Sequence, residues 1–114
     1  MEYDPTGISA HEAGAKLDGG KPLSGRLLGL FSLALMAVSE VGTFGAKKYS
    51  EGGWQTVPDG EKRYDDACMR HWLKRHSGED YDPDSKMLHL AHEAWNKLAE
   101  LELVLRRLRD GDVY

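Results

Sequence analysis

The segment Glu79–Asn96, EDYDPDSKMLHLAHEAWN, gathers five acids, two histidines and an asparagine into eighteen positions. Its second half has helical periodicity, so His89, His92, Glu93 and Asn96 fall at i, i+3, i+4 and i+7 on one face. Leu88, Ala91, Ala94, Trp95 and Leu98 make the opposite face and are expected to be core. The polar row offers donors for a metal ion or a phosphate. His89-x-x-His92 does not match the HExxH spacing of zinc proteases, and no cysteine stands nearby to close a structural zinc site. The acidic loop Asp80–Ser85 begins like a calcium loop, but it lacks the glycine at position six and the glutamate at position twelve. Oxygen-rich surroundings favour Mg2+, with Mn2+ as the alternative, while the imidazoles contact phosphate or water.

Other parts of the chain offer partners for this row. Glu40 is the lone charge in an apolar stretch, and a buried carboxylate requires a cation or strong donors. It is read either as a metal ligand facing the row or as a solvent-facing residue. His71 lies on a stripe with Tyr64, Ala67, Cys68, Trp72 and Arg75, either as a hydrogen-bonded core histidine or as a functional one. Asp65 and Asp66 suit the dipole of a first helical turn, and Cys68 reads as a small core residue. Lys47 and Lys48 sit beside Tyr49 and Trp54, and Lys16 and Lys21 bracket a glycine turn. Cations beside aromatics suit a nucleotide, whose base stacks while its phosphates meet the lysines.

Three helices must position these groups. Helix A is expected over about Leu27–Tyr49, helix B over about Gly60–Ser77 with Gly78 as its stop, and helix C from the Asp84–Ser85 cap to about Arg109. Pro83 near the first turn of helix C and the arginines in its last turn suit the helix dipole. Residues 1–26 read as an extended arm with a turn at KLDGGKP, and 27–114 as one helical domain. No alternating strand pattern occurs. The fold class is therefore all-α, a three-helix oligomeric bundle with an extended N-terminal arm. Helix A carries more apolar surface than two neighbours can cover, which calls for a homo-oligomer, dimer or tetramer.

Composition narrows the classes. A chain of 114 residues with 40 % hydrophobic and 30 % charged residues is one soluble globular domain. Its net charge of −4 disfavours nucleic-acid binding. One cysteine excludes an internal disulfide and, with no leader pattern, indicates a reducing cytoplasm. The uncharged run Leu27–Ser39 is thirteen residues, short of the roughly 18–20 needed to span a bilayer, so no membrane segment is expected.

The ordered motifs KLDGGKP, EVGTFGAKKY, GGW, YDDACMRHW, SGEDYDPDS and HLAHEAWN resemble the phage dATP/dGTP diphosphohydrolase-like family, related to MazG-type all-α nucleotide pyrophosphohydrolases. The resemblance runs from about Lys16 to Leu105. It implies Mg2+-dependent hydrolysis of a purine deoxynucleoside triphosphate to monophosphate and pyrophosphate by an oligomer, in the host cytoplasm if phage-encoded. The motif positions are Lys16, Lys21, Glu40, Lys47, Tyr49, Trp54, Arg70, His71, Glu79, Asp82, His89, His92 and Asn96. On this reading Glu40, Asp82, Glu93 and Asn96 hold the metal. His71, His92 and Glu93 are catalytic, and Lys16, Lys21, Lys47, Tyr49, Trp54, Arg70 and His89 bind substrate. MazG-type enzymes use ExxE and ExxD pairs, whereas here Glu40-x-x-Thr43 and Glu93-x-x-Asn96 each keep one carboxylate. That departure motivates the alternative, a phage-type module that sequesters a nucleotide or nucleotide-derived signal. A ligand-free helical adaptor is a third reading, which leaves the polar face of helix C without a purpose.

Overall fold

A computed structural model describes residues 2–111. Its elements are α1 (Ser24–Leu28), a 3-10 turn (Gly29–Phe31), α2 (Ser32–Lys48), a second 3-10 turn (Gly53–Thr56), α3 (Gly60–His76) and α4 (His89–Arg109). The described residues contain no strand, only the isolated bridges Tyr3–Ser9 and Tyr81–Leu88. The all-α class stands. The chain divides into two compact units after Phe31.

In the first unit, Asp4 organises residues 3–16. Its Oδ1 accepts from the Thr6 amide (2.9 Å), the Thr6 hydroxyl (2.8 Å) and the Ile8 amide (2.8 Å), and its Oδ2 accepts from the Lys16 amide (3.1 Å). These donors, Ile8 first, hold the carboxyl below its ordinary pKa although burial opposes them. Helix A does not run unbroken from Leu27. Helical structure begins at Ser24, tightens at Gly29, a weak helix former, and resumes at Ser32. By length and composition the stretch Ser24–Lys48 could cross a bilayer. It is longer than the uncharged run alone indicated, because its polar ends are helical too.

In the second unit, α3 and α4 pack antiparallel. Glu61 near the start of α3 pairs with Arg107 near the end of α4, while His71 and Arg75 meet His89 and Glu93 at the other end. α2 crosses α4 at Gly42, where an added Cβ would come within 3.0 Å of Trp95 Nε1. α3 stops where Gly78 takes φ 104°, as its residue type foretold.

The start of helix C differs from expectation. α4 begins at His89 with Leu88 as its N-cap, and no side chain caps it. Asp82 diverts the preceding residues into a closed loop: its Oδ2 accepts from the Ser85 amide (2.8 Å), its carbonyl from the Lys86 amide (2.8 Å), and its own amide donates to Met87 O (2.8 Å). A short acidic side chain offers the backbone an alternative to helical bonding. Lys86 at φ 66° completes the turn, and the His89 amide finds the Asp80 carbonyl at 2.8 Å.

The largest correction concerns which face of α4 is inside. His89, His92, Glu93 and Asn96 are buried together with Ala99, whereas Leu88, Leu90, Leu98, Leu101, Leu105 and Leu108 are exposed. Trp95 is half-buried and Ala94 exposed. The polar row is thus the face that meets α2 and α3, and the leucine face is left exposed. Among the described residues of this unit only Val41, Cys68 and Ala99 are buried apolar side chains. The interior is a polar one.

Candidate functional site

Three imidazoles meet where α3, α4 and the acidic loop converge. His71 from α3 and His89 from α4 approach Nδ1 to Nδ1 at 2.8 Å. His89, 0 % exposed, turns its Nε2 to Glu79 Oε1 at 2.8 Å. His71 stacks on His92, with ring centroids 4.4 Å apart and planes 9° apart. His92 Nε2 lies 2.6 Å from the Ser85 hydroxyl, and Phe44 of α2 meets its ring edge-on. His89 Nε2–H donates to the Glu79 carboxylate, and the two facing Nδ1 atoms share one proton.

Electrostatics keep the stacked pair neutral. Burial, and after it the neighbouring His92 and His89, lower the His71 pKa to about 4 against the upward pull of Asp82. Burial likewise lowers His92, against the pull of Asp82. At Asp82 burial works upward, but the Ser85 hydrogen bonds and the adjacent imidazoles hold the carboxyl below its ordinary value. His71, Asp82 and His89 place one ligand atom each within 4.8 Å of one another.

Glu93 lies beside this cluster but is otherwise engaged. Arg75 grips it with Nε to Oε2 at 2.7 Å and Nη2 to Oε1 at 3.0 Å. A buried carboxylate needs a cation, and Arg75, one turn beyond His71, is the nearest on α3. Asn96 is buried, and its amide donates to the His92 carbonyl at 2.8 Å. Glu40 is exposed and lines a shallow depression with Lys47, Met36 and Met87, apart from the one lined by Asp82, His92 and Asn96. The four residues expected to hold Mg2+ are therefore not gathered within one chain. Asp82 and Asn96 share a wall, Glu93 has both oxygens on Arg75, and Glu40 faces elsewhere.

A cleft of about 1030 Å³ opens over the cluster, at the upper end of the range usual for small-molecule sites. His71, Asp82, His92 and Asn96 line it, and Lys48, Arg63, Arg70 and Lys74 supply its cations. Lys48 Nζ sits 2.8 Å from Asp84 Oδ2 and 5.5 Å from the centre of the Tyr49 ring. Its bond to Asp84 raises its pKa. Tyr49 is exposed and lines the same cleft.

The expected substrate contacts divide into groups. Tyr49, Trp54 and Arg70 line the cleft. Trp54 also packs edge-on against Tyr64 and Trp95, with Arg106 5.6 Å from its ring centre, so its ring is largely committed to structure. Lys47 faces the other depression beside Glu40. Lys16 and Lys21 are exposed in the first unit. His89 is wholly buried behind His71, which rules out direct contact with a substrate in this conformation.

Sequence reasoning passed over Ser85 and Arg75 as partners. Arg75 could have been found from its place four residues after His71, on the stripe that faces Glu93. Ser85 could not, because the loop's own fold brings it to His92.

The fold and this site define an all-α protein with a histidine–carboxylate cluster at the base of a cation-rimmed cleft. A family model described as dATP/dGTP diphosphohydrolase, N-terminal, matches residues 11–112. The chain belongs to that family. No curated protein and no solved structure matches it.

Proposed function

We propose that the chain hydrolyses a purine deoxynucleoside triphosphate to the monophosphate and pyrophosphate. The observation that carries this reading is the cleft itself: neutral His71 and His92 lie together, with Asp82 and Asn96 on the same wall and four cations around them. The family's name, which specifies a dATP/dGTP diphosphohydrolase, agrees with that chemistry.

In this proposal Lys48, Arg70 and Lys74 hold the triphosphate, and Tyr49 stacks on the purine. Water attacks the α-phosphorus and its proton passes to the His92 imidazole, which burial keeps unprotonated. Ser85 fixes the orientation of that ring through its 2.6 Å contact. Mg2+ enters with the triphosphate as part of the substrate and offsets its charge. Glu93 acts at one remove, by holding Arg75. The reaction belongs to a cytoplasmic enzyme, and a homo-oligomer would cover the exposed apolar faces of α2 and α4. The second reading, sequestration without turnover, draws on the scattered placement of Glu40 and Glu93.

Incubation with each dNTP and Mg2+, followed by separation of the products, tests this. Monophosphate plus pyrophosphate from dATP or dGTP is the expected result. Intact nucleotide recovered from a tight complex would favour sequestration. If no nucleotide raises the melting temperature, both readings fail.

A further inference from the structure

Among the described residues, His71, Asp82 and His89 form a group of ligand atoms within 4.8 Å of one another, with His71 and His89 in direct contact. We propose that His71, His89 and Asp82 bind one divalent first-row transition ion of the Mn2+, Co2+ or Zn2+ class. The inference deepens the nucleotide reading and rests on it only for the purpose of the ion, whose remaining positions would face the triphosphate cleft.

Geometry supports the assignment. Two nitrogens 2.8 Å apart, each about 2.1 Å from a shared ion, subtend roughly 84° at it, close to the right angle of an octahedral site. Ligand pairs around such an ion lie up to about 4.2 Å apart, twice that bond length. All three ligand atoms already fall within 4.8 Å of one another, so a closing movement of about 1 Å at most brings Asp82 to bonding distance, by the same bond lengths. The ion displaces the proton that His71 shares with His89, sitting off the line between the two nitrogens, and the displaced proton moves to His71 Nε2.

The surroundings add a second, independent observation. Metal-bound histidines characteristically donate their other ring N–H to a carboxylate, which fixes the tautomer. His89 does this to Glu79 at 2.8 Å while wholly buried, and that turns its Nδ1 toward His71. Asp82 is steadied in the same way, with Oδ2 held by the Ser85 amide. His71 and Asp82 line the cleft whereas His89 lies behind them. Three protein ligands with one open side is the arrangement of a reactive metal site rather than a structural one. Two imidazoles and a single carboxylate select a transition ion over Mg2+ or Ca2+, which prefer all-oxygen shells.

The test uses the full chain and Co2+, followed by visible absorption and equilibrium titration. One Co2+ per chain with ligand-field bands is expected. His71→Ala should abolish binding, and Glu79→Gln should weaken it about 10–100-fold. Glu79 is partly exposed, so its variant and Asp82→Asn carry the test if His71→Ala does not fold. Failure to bind Co2+ would overturn the proposal, as would undiminished binding by folded His71→Ala and Asp82→Asn proteins. Nucleotide turnover is scored separately. Co2+ binding without hydrolysis leaves the metal site standing and removes the hydrolase reading, whereas hydrolysis by a chain that binds no Co2+ removes the metal site alone.

Discussion

Replacing Arg75 by methionine separates the structural role of Glu93 from a ligand role. The side chain of Glu93 is 9 % exposed, and its carboxylate receives two guanidinium bonds of 2.7 and 3.0 Å. Arg75→Met keeps the length of the side chain and removes both donors, leaving a nearly dry carboxylate without its cation. Fully buried pairs cost about 3–5 kcal/mol when one partner is lost. Arg75 itself is 30 % exposed, and water admitted at that edge reduces the expected loss to about 2–3 kcal/mol. Glu93→Gln should cost less, about 1–2 kcal/mol, because the stranded guanidinium can reach solvent and the amide can still accept a bond. For a domain of this size each kcal/mol moves the melting temperature by about 4 °C, so Arg75→Met should melt about 8–12 °C lower. Thermal and urea unfolding at one fixed protein concentration, with the double variant completing a cycle, measures the coupling. If Arg75→Met melts within about 2 °C of the parent, the pair contributes little and the reasoning is wrong. It is wrong as well if Glu93→Gln keeps its stability but loses a divalent ion.

Two further outcomes are expected. Leu33 and Met36 on α2 are 88 % and 62 % exposed, so Leu33→Asp with Met36→Asp should lower the sedimenting mass of an assembled parent. A parent that sediments as a monomer at tens of micromolar, roughly the range where weak interfaces still associate, would refute helix A as an interface. In the first unit, Asp4 has a folded pKa below its unfolded value. Its contribution is therefore present above the ordinary carboxylate range and lost as pH falls through the lowered folded value. An NMR titration of its carboxyl should give a midpoint below 3.8, and a midpoint at or above that value would contradict the hydrogen-bond network.

Much of the helical framework could be read from the chain. Gly60, Gly78 and the run of arginines ending at Arg109 marked element ends that α3 and α4 respect to within a residue. The i, i+3, i+4, i+7 row was real: His89, His92, Glu93 and Asn96 share the buried face of α4. What failed was the inference that the apolar face of helix C points inward. That rule assumes the chain covers its own hydrophobic surface, and it fails where leucines such as Leu98, Leu101 and Leu105 stay exposed. The helix C start failed for a local reason, since Asp82 turns the backbone through hydrogen bonds that periodicity does not register.

The sequence by itself determined the element types, the membership of the reactive row and the resemblance that the family match upholds. Those properties depend on near neighbours along the chain, where helical spacing and turn chemistry act directly. Only the tertiary structure decided the partners: His71 with His89, Ser85 with His92, and Arg75 with Glu93. It assigned Glu93 to an ion pair, sent Glu40 to another surface and enclosed His89. A carboxylate bonds whichever cation the packing of α3 on α4 brings within about 3 Å, and helical periodicity names a face without saying what that face will meet.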